Sequence, residues 1–187
     1  MNDNFAPIIN KIRAVAKMFQ KCPLKNDLLQ KRRVLENSKE LQMLLDCKTR
    51  WNSLQKMISR FLEIRVPIEK TLNLLNLEKY SFAKNEIKLS EELLENLEII
   101  EVGATALSRR DVTIVKAEKV FEFILQKLGK ESGSISRELF TAVMNQIESR
   151  RNIQICGLSR YLDSPSNYES NVKKSPLNYP DKKELPK

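Results

Sequence analysis

Phe5-Ala6-Pro7-Ile8-Ile9-Asn10-Lys11-Ile12-Arg13-Ala14-Val15-Ala16-Lys17-Met18-Phe19 decides the fold class. Phe5, Ile8, Ile9, Ile12, Val15, Ala16 and Phe19 recur at intervals of three and four, which places them on one face of a helix. Lys11, Arg13 and Lys17, with Lys21 beyond, fall on the other faces. Cys22-Pro23 should close this helix, because a proline ring drives the residue before it out of the helical region.

The same period recurs down the chain. A more polar helix is expected over Leu24 to Glu36, carrying Lys31-Arg32-Arg33. Leu41 to Leu45 is a short apolar run that reads equally as a strand or a buried turn, since periodicity cannot choose. Thr49 can cap the next helix, whose inner face is Trp51, Leu54, Met57, Ile58, Phe61 and Leu62. Pro67 should end or kink that helix, with a shorter one following through Leu72 to Leu77. Tyr80 to Leu89 reads as a connection.

Ser90 is placed to cap a long helix with Leu93, Leu97, Ile100, Ala104 and Leu107 inward. Glu91, Glu95, Glu98 and Glu101 line its outer side. Helical repetition alone produces such an acidic row, so it is read as a solvated face rather than paired catalytic carboxylates. Gly103 within the stripe suggests close helix packing. Thr113 should cap a helix carrying Ile114, Ala117, Phe121, Ile124, Leu125 and Leu128, with Gly129 where helices commonly end. A last helix runs from about Ile135 to Ser149, and Ile153 to Leu162 either extends it or forms a short separate one. From Asp163 onward, Pro165, Pro176, Pro180 and Pro186 mix with Ser, Asn and Lys, and disorder is expected.

The expected fold is therefore all-α: an irregular bundle of about seven helices, with one short extended segment near 42–47 allowed. One helical domain should span 1–163, followed by a disordered tail over 164–187. The 187 residues suffice for a sizeable core. No apolar run approaches the roughly 18 residues of a membrane span. Residues at the N-terminus lack the pattern of a secretory signal, so secretion is not expected.

Charge and thiols narrow the chemistry. The 33 basic and 24 acidic residues leave a net charge of +9. Residues 1–80 hold 16 basic and 8 acidic side chains, whereas 81–130 hold 8 and 9. A basic front half suits a phosphate-contacting surface, or is simply a solvated helical surface. Cys22, Cys47 and Cys156 lie far apart, and with no histidine in the chain neither a zinc knuckle nor a histidine-activated nucleophile is expected. No metal, cofactor or small-molecule substrate is assigned.

Two blocks carry a family resemblance. The first is Met43-Leu44-Leu45, then Asp46-Cys47-Lys48-Thr49-Arg50-Trp51-Asn52-Ser53, continuing to Met57 and Arg60-Phe61-Leu62-Glu63. The second is Ala106-Leu107-Ser108-Arg109-Arg110-Asp111-Val112-Thr113, followed by Ala117-Glu118. In this order and separation they resemble the central region of hAT-family DNA transposases and their domesticated BED-finger relatives. Leu158 to Pro165 is similar to the family's Leu-x-x-Tyr-Leu-x-x-Pro stretch. The resemblance spans roughly residues 8–165.

In that family an RNase H-like fold holds two aspartates and a glutamate that bind divalent metal, and a helical domain is inserted before the glutamate. The resemblance implies that this chain starts after both aspartates and stops before the glutamate. Two-metal phosphoryl chemistry needs those carboxylates around both ions, so the chain is expected not to cut DNA alone; divalent metal belongs to the complete family enzyme.

By position, Arg50 and Trp51 match the family's Arg-Trp pair, whose tryptophan stabilises a flipped nucleotide. Stacking on an extruded base is worth about 1–3 kcal/mol. Trp51 also lies in register with Leu54 and Ile58, so a core role stands beside it. Lys48, Arg32, Arg33, Arg109 and Arg110 complete the candidate DNA contacts, to backbone phosphate and hence salt-sensitive. Arg109 and Arg110 would serve equally to satisfy helix-end carbonyls.

The expectation is a transposase-derived helical fragment in the nucleus with weak, non-specific DNA binding. Two alternatives stand: a subunit or truncated product of an active transposase, and a helical interaction module. A homo-oligomer is compatible with each, and no membrane partner is expected.

Overall fold

A computed structural model of the chain describes residues 5–35, 41–47, 52–131 and 133–185. Among the described residues there are nine α-helices and no strand: α1 (Ala6–Lys21), α2 (Pro23–Leu35), α3 (Ser53–Glu63), α4 (Arg65–Leu74), α5 (Lys84–Leu107), α6 (Ile114–Lys130), α7 (Ser134–Arg150), α8 (Ile153–Asp163) and α9 (Tyr168–Lys173). The all-α expectation holds. The extra helices are Ile153–Asp163, which forms a separate element, and α9 in the expected tail. The chain divides into two compact units, Met1–Leu97 and Glu98–Lys187, with the boundary inside α5.

The first unit is built on the stripe of α1. Ile8, Ile9, Ile12, Val15, Ala16 and Phe19 are all buried, and each large aliphatic or aromatic side chain removed from water contributes about 1.5–3 kcal/mol. Helix α1 packs on α2 and α3, and α2 on α4. Cys22 is extended, at φ −123° and ψ 100°, and Pro23 is the first residue of α2. There the missing N–H costs nothing and the fixed φ suits a helix start.

The helix ahead of Pro67 is broken as expected from sequence, three residues before the proline itself. Ile64 separates α3 from α4, and Pro67 sits buried in the first turn of α4, where no intrahelical donor is required. Helix α4 stops at Leu74 rather than running to Leu77. Asn76 adopts φ 52°, its N–H donates to the Asn73 carbonyl, and the Leu77 N–H donates to the Leu72 carbonyl. This is a Schellman termination, with asparagine where glycine is commoner.

Helix α5 begins six residues before Ser90, the expected cap. Ser90 is buried within the helix and donates from Oγ to the Glu86 carbonyl at 2.8 Å. Serine is as able to bond back one turn as to cap, so the residue type misplaced the start. The start itself is organised by Glu86, whose carboxylate accepts from the Ala83 N–H at 2.8 Å and from Lys11 Nζ at 2.7 Å. Lys11 also lies over the Phe82 ring, 4.8 Å from its centre, and Phe82 packs on Phe61 at 4.5 Å. The stretch read as a connection is thus tied to α1 and α3.

In the second unit α6 packs on α7 and α8. Thr113 caps α6, accepting from the Lys116 N–H at 3.3 Å, and Asn152 caps α8, accepting from the Ile155 N–H at 3.0 Å. Gly103 fulfils its expected packing role: a Cβ there would lie 2.3 Å from Ile124 Cδ1 on α6. Gly129 lies inside α6 rather than at its end.

The expected disordered tail is folded as far as Leu185. Tyr168 and Leu177 are buried, and the Tyr168 hydroxyl donates to the Pro180 carbonyl at 2.8 Å. Composition undercounted this segment because few apolar anchors suffice when an already folded surface receives them. Residues 164–185 belong to the second unit rather than trailing from one domain.

Candidate nucleic-acid interface

Residues 41–47 approach the strongest sequence motif, and they form no strand. Three of their carbonyls accept from side chains of three helices instead of joining a ladder. Arg33 on α2 donates to the Leu41 carbonyl. Arg60 on α3 donates to the Gln42 carbonyl at 3.0 Å, and Gln20 on α1 to the Met43 carbonyl at 3.0 Å. Met43 is buried beneath them. Arg13 grips Asp46 through Nε at 2.8 and 3.0 Å and through Nη2. Hydrogen bonding from Arg13 outweighs burial and, with the charges of Arg13 and Lys17, holds the Asp46 carboxyl below its ordinary range. Ser53 Oγ accepts from the Cys47 N–H at 2.9 Å and donates to the Cys47 carbonyl at 2.7 Å. The two described flanks of the motif are thereby clasped together.

Lys48, Arg50 and Trp51 lie outside the described residues, as does the expected cap Thr49. Arg33 requires a correction. It is 1% exposed and spends its guanidinium on the chain, not on a solvent-facing phosphate. Its position four residues after buried Leu29 puts it on the inward face of α2, a signal already present in the sequence. Arg32 beside it is half-buried and Lys31 is exposed. Lys17 and Lys21 are exposed on α1 and, with Arg13, follow a four-residue interval along one side of it. Among the described residues Lys17, Lys21 and Lys31 make no ion pair, whereas Lys11, Arg13, Arg60 and Arg65 do.

Arg109 and Arg110 lie in the second unit, exposed in the turn between α5 and α6. Arg109 pairs with Asp111 at 3.2 Å, both well solvated, an arrangement worth little to stability. The sequence set thus falls into an inward residue (Arg33), surface cations on two separate units, and the Lys48–Trp51 motif outside the described residues.

A protein-family profile, the ZBED1 RNase-like helical domain, matches residues 3–101, just over half of the chain. The chain belongs to this family. That bears out the hAT-related reading at the level of a helical domain. The match to the ZBED1 RNase-like helical domain takes in α1 through most of α5, and so the basic half of the sequence. The second resembling block, Ala106–Glu118, lies beyond it. No curated protein and no solved structure matches the chain.

Beyond the ZBED1 RNase-like helical domain match, the second unit holds a cluster that sequence reading missed. Glu118 on α6 accepts from Arg151 Nε at 3.0 and 2.9 Å and from Nη2 at 2.6 Å. Its Oε2 also accepts from the Tyr179 hydroxyl at 2.7 Å. One turn on, Glu122 pairs with Arg160 of α8 and accepts from Ser175 Oγ. The Tyr179 ring has both guanidinium carbons near its face, 4.4 and 4.8 Å from its centre.

Burial pulls the Glu118 carboxyl upward, but hydrogen bonds from Arg151 and Tyr179, with the Arg151 charge, hold it below the usual carboxylate range. Burial first, then the bond to Glu118, pushes the Tyr179 phenol well up, which keeps it a donor at neutral pH. Burial and the Glu118 charge likewise raise the Cys156 thiol, making that sulfur a poor nucleophile. The four-residue spacing of Glu118 and Glu122 on α6 was legible; their partners, 33 and 38 residues away, were not.

Proposed function

We propose that this chain is a transposase-derived helical module that binds DNA non-specifically through the exposed cations of its first unit and does not cut DNA by itself. The observation that carries this reading is a coincidence. The ZBED1 RNase-like helical domain match takes in the basic stretch, residues 3–80 with 16 basic and 8 acidic side chains, and Lys17, Lys21 and Lys31 there are exposed and make no ion pair among the described residues. Phosphate contacts from such side chains carry no base information and weaken as salt rises. The non-catalytic reading rests on the hAT resemblance, in which the metal-binding carboxylates belong to the RNase H-like part of the family enzyme and not to the helical insert. A nuclear location follows from DNA as the partner.

The test is fluorescence anisotropy of labelled duplex and hairpin DNA at several salt concentrations. Wild type should bind with log K falling linearly in log salt, and Lys17→Glu/Lys21→Glu/Lys31→Glu should reduce the slope by about one for each phosphate no longer neutralised. Absence of salt-dependent binding by wild type would remove DNA from the assignment and leave an interaction module. Metal-dependent strand cleavage by the purified chain would instead make it a transposase subunit.

A further inference from the structure

The segment from Ser175 to Asp181 is held in the manner of a bound peptide. It has no helix of its own between α9 and a short 3-10 turn at Lys182–Glu184, so its carbonyls cannot be satisfied by i→i−4 bonds. Instead Arg151 donates to the Asn178 carbonyl and Tyr168 to the Pro180 carbonyl, the latter at 2.8 Å. Leu177 and Tyr179 both enter the packed face of α6, α7 and α8, against one apolar cluster. Leu177 packs with Leu125 and Ile147, flanked by Phe121, Phe140 and Met144. Tyr179 enters the slot between Arg151 and Arg160 and donates to Glu118. Pro180 lies against Gly157, where a Cβ would come within 2.6 Å of the ring. Backbone capture together with the seating of alternate side chains is how extended peptides are recognised.

We propose that the groove between α6, α7 and α8 is a peptide-binding site for an extended segment of the form Leu-x-Tyr-Pro, and that the chain's own residues 177–180 are its intramolecular ligand. The partner is a peptide of that chemistry: an aliphatic side chain, any residue, a tyrosine able to donate from its hydroxyl, then proline. Leu177 and Tyr179 share an apolar cluster, Tyr179 adds the Arg151–Arg160 slot and Pro180 the surface at Gly157, and none of these depends on the DNA-binding reading. The tethered copy competes at an effective concentration on the order of millimolar, so an outside peptide gains access only when the strap is released.

The test uses the full chain and a fluorescein-labelled peptide copying residues 174–185. Leu177→Ala/Tyr179→Ala, which disables the tethered strap, should bind this peptide at least tenfold more tightly than wild type does. A peptide carrying Tyr179→Ala should lose tenfold or more. No binding to the double variant with its helical circular dichroism intact would overturn the proposal, as would equal binding of the altered peptide.

Should the double variant fail to fold, a protease site introduced between Lys174 and Ser175 provides the second measurement. After cleavage of the folded chain, the freed strap should stay bound and exchange with labelled peptide. Unfolding on cleavage, or a strap that never exchanges, would refute the site.

Discussion

Glu118→Gln removes one negative charge from the cluster around Tyr179 while keeping its shape. In the wild type the Glu118 and Arg151 side chains are 5% and 3% exposed, and three hydrogen bonds at 2.6–3.0 Å join them. Removing one partner of a buried ion pair typically costs about 3–5 kcal/mol, because the other charge is left without compensation. The glutamine oxygen can still accept one of the bonds, which puts the expected loss near the lower end, at about 3 kcal/mol. With a urea slope of about 1.5 kcal/mol per molar, the midpoint should fall by about 2 M.

Circular dichroism would follow the transition, with amide hydrogen exchange of α6 and α8 to localise it in the second unit. A loss below about 1 kcal/mol would refute the assignment of that pair as buried and coupled. Acid supplies an independent arm. The folded Glu118 carboxyl titrates below its ordinary 4.5, so the stability it contributes is complete above that value and disappears as pH falls through the folded one. The difference between wild type and variant should therefore close in acid, and an equal gap at pH 3 and pH 7 would contradict the geometry. Replacing both partners, as Glu118→Leu/Arg151→Met, should cost far less than the single change.

Two further perturbations probe the local geometry. Asn76→Val should destabilise the first unit by about 1–2 kcal/mol, since a β-branched residue resists the left-handed conformation, whereas Asn76→Gly should be neutral or stabilising in the same thermal melt. Gly103→Ala should be destabilising by about 1–3 kcal/mol despite its higher helix propensity, because Ile124 must move; in a double-mutant cycle, Ile124→Ala should cost less in the Gly103→Ala background than alone.

Short-range chemistry determined what could be read without coordinates. The stripe of α1, the break at Cys22-Pro23, the cap at Thr113 and the close approach at Gly103 follow from periodicity, ring sterics and side-chain size, each set within a few residues. The hAT-related character was legible for the same reason, as a local string of residue types. Tertiary structure decided the rest. Ser90 could cap or bond back, and only the anchoring of Glu86 to Lys11 and Ala83 put the helix start earlier. The spacing of Arg33 from Leu29 already put it on the inward face of α2, but only the folded chain brings the Leu41 carbonyl to its guanidinium. The C-terminal segment looked disordered because its own apolar content is small; what orders it is a surface of three helices that exists only once they have packed. Glu118 meets Arg151 and Tyr179 across 33 and 61 residues of chain, a separation over which no local pattern carries information.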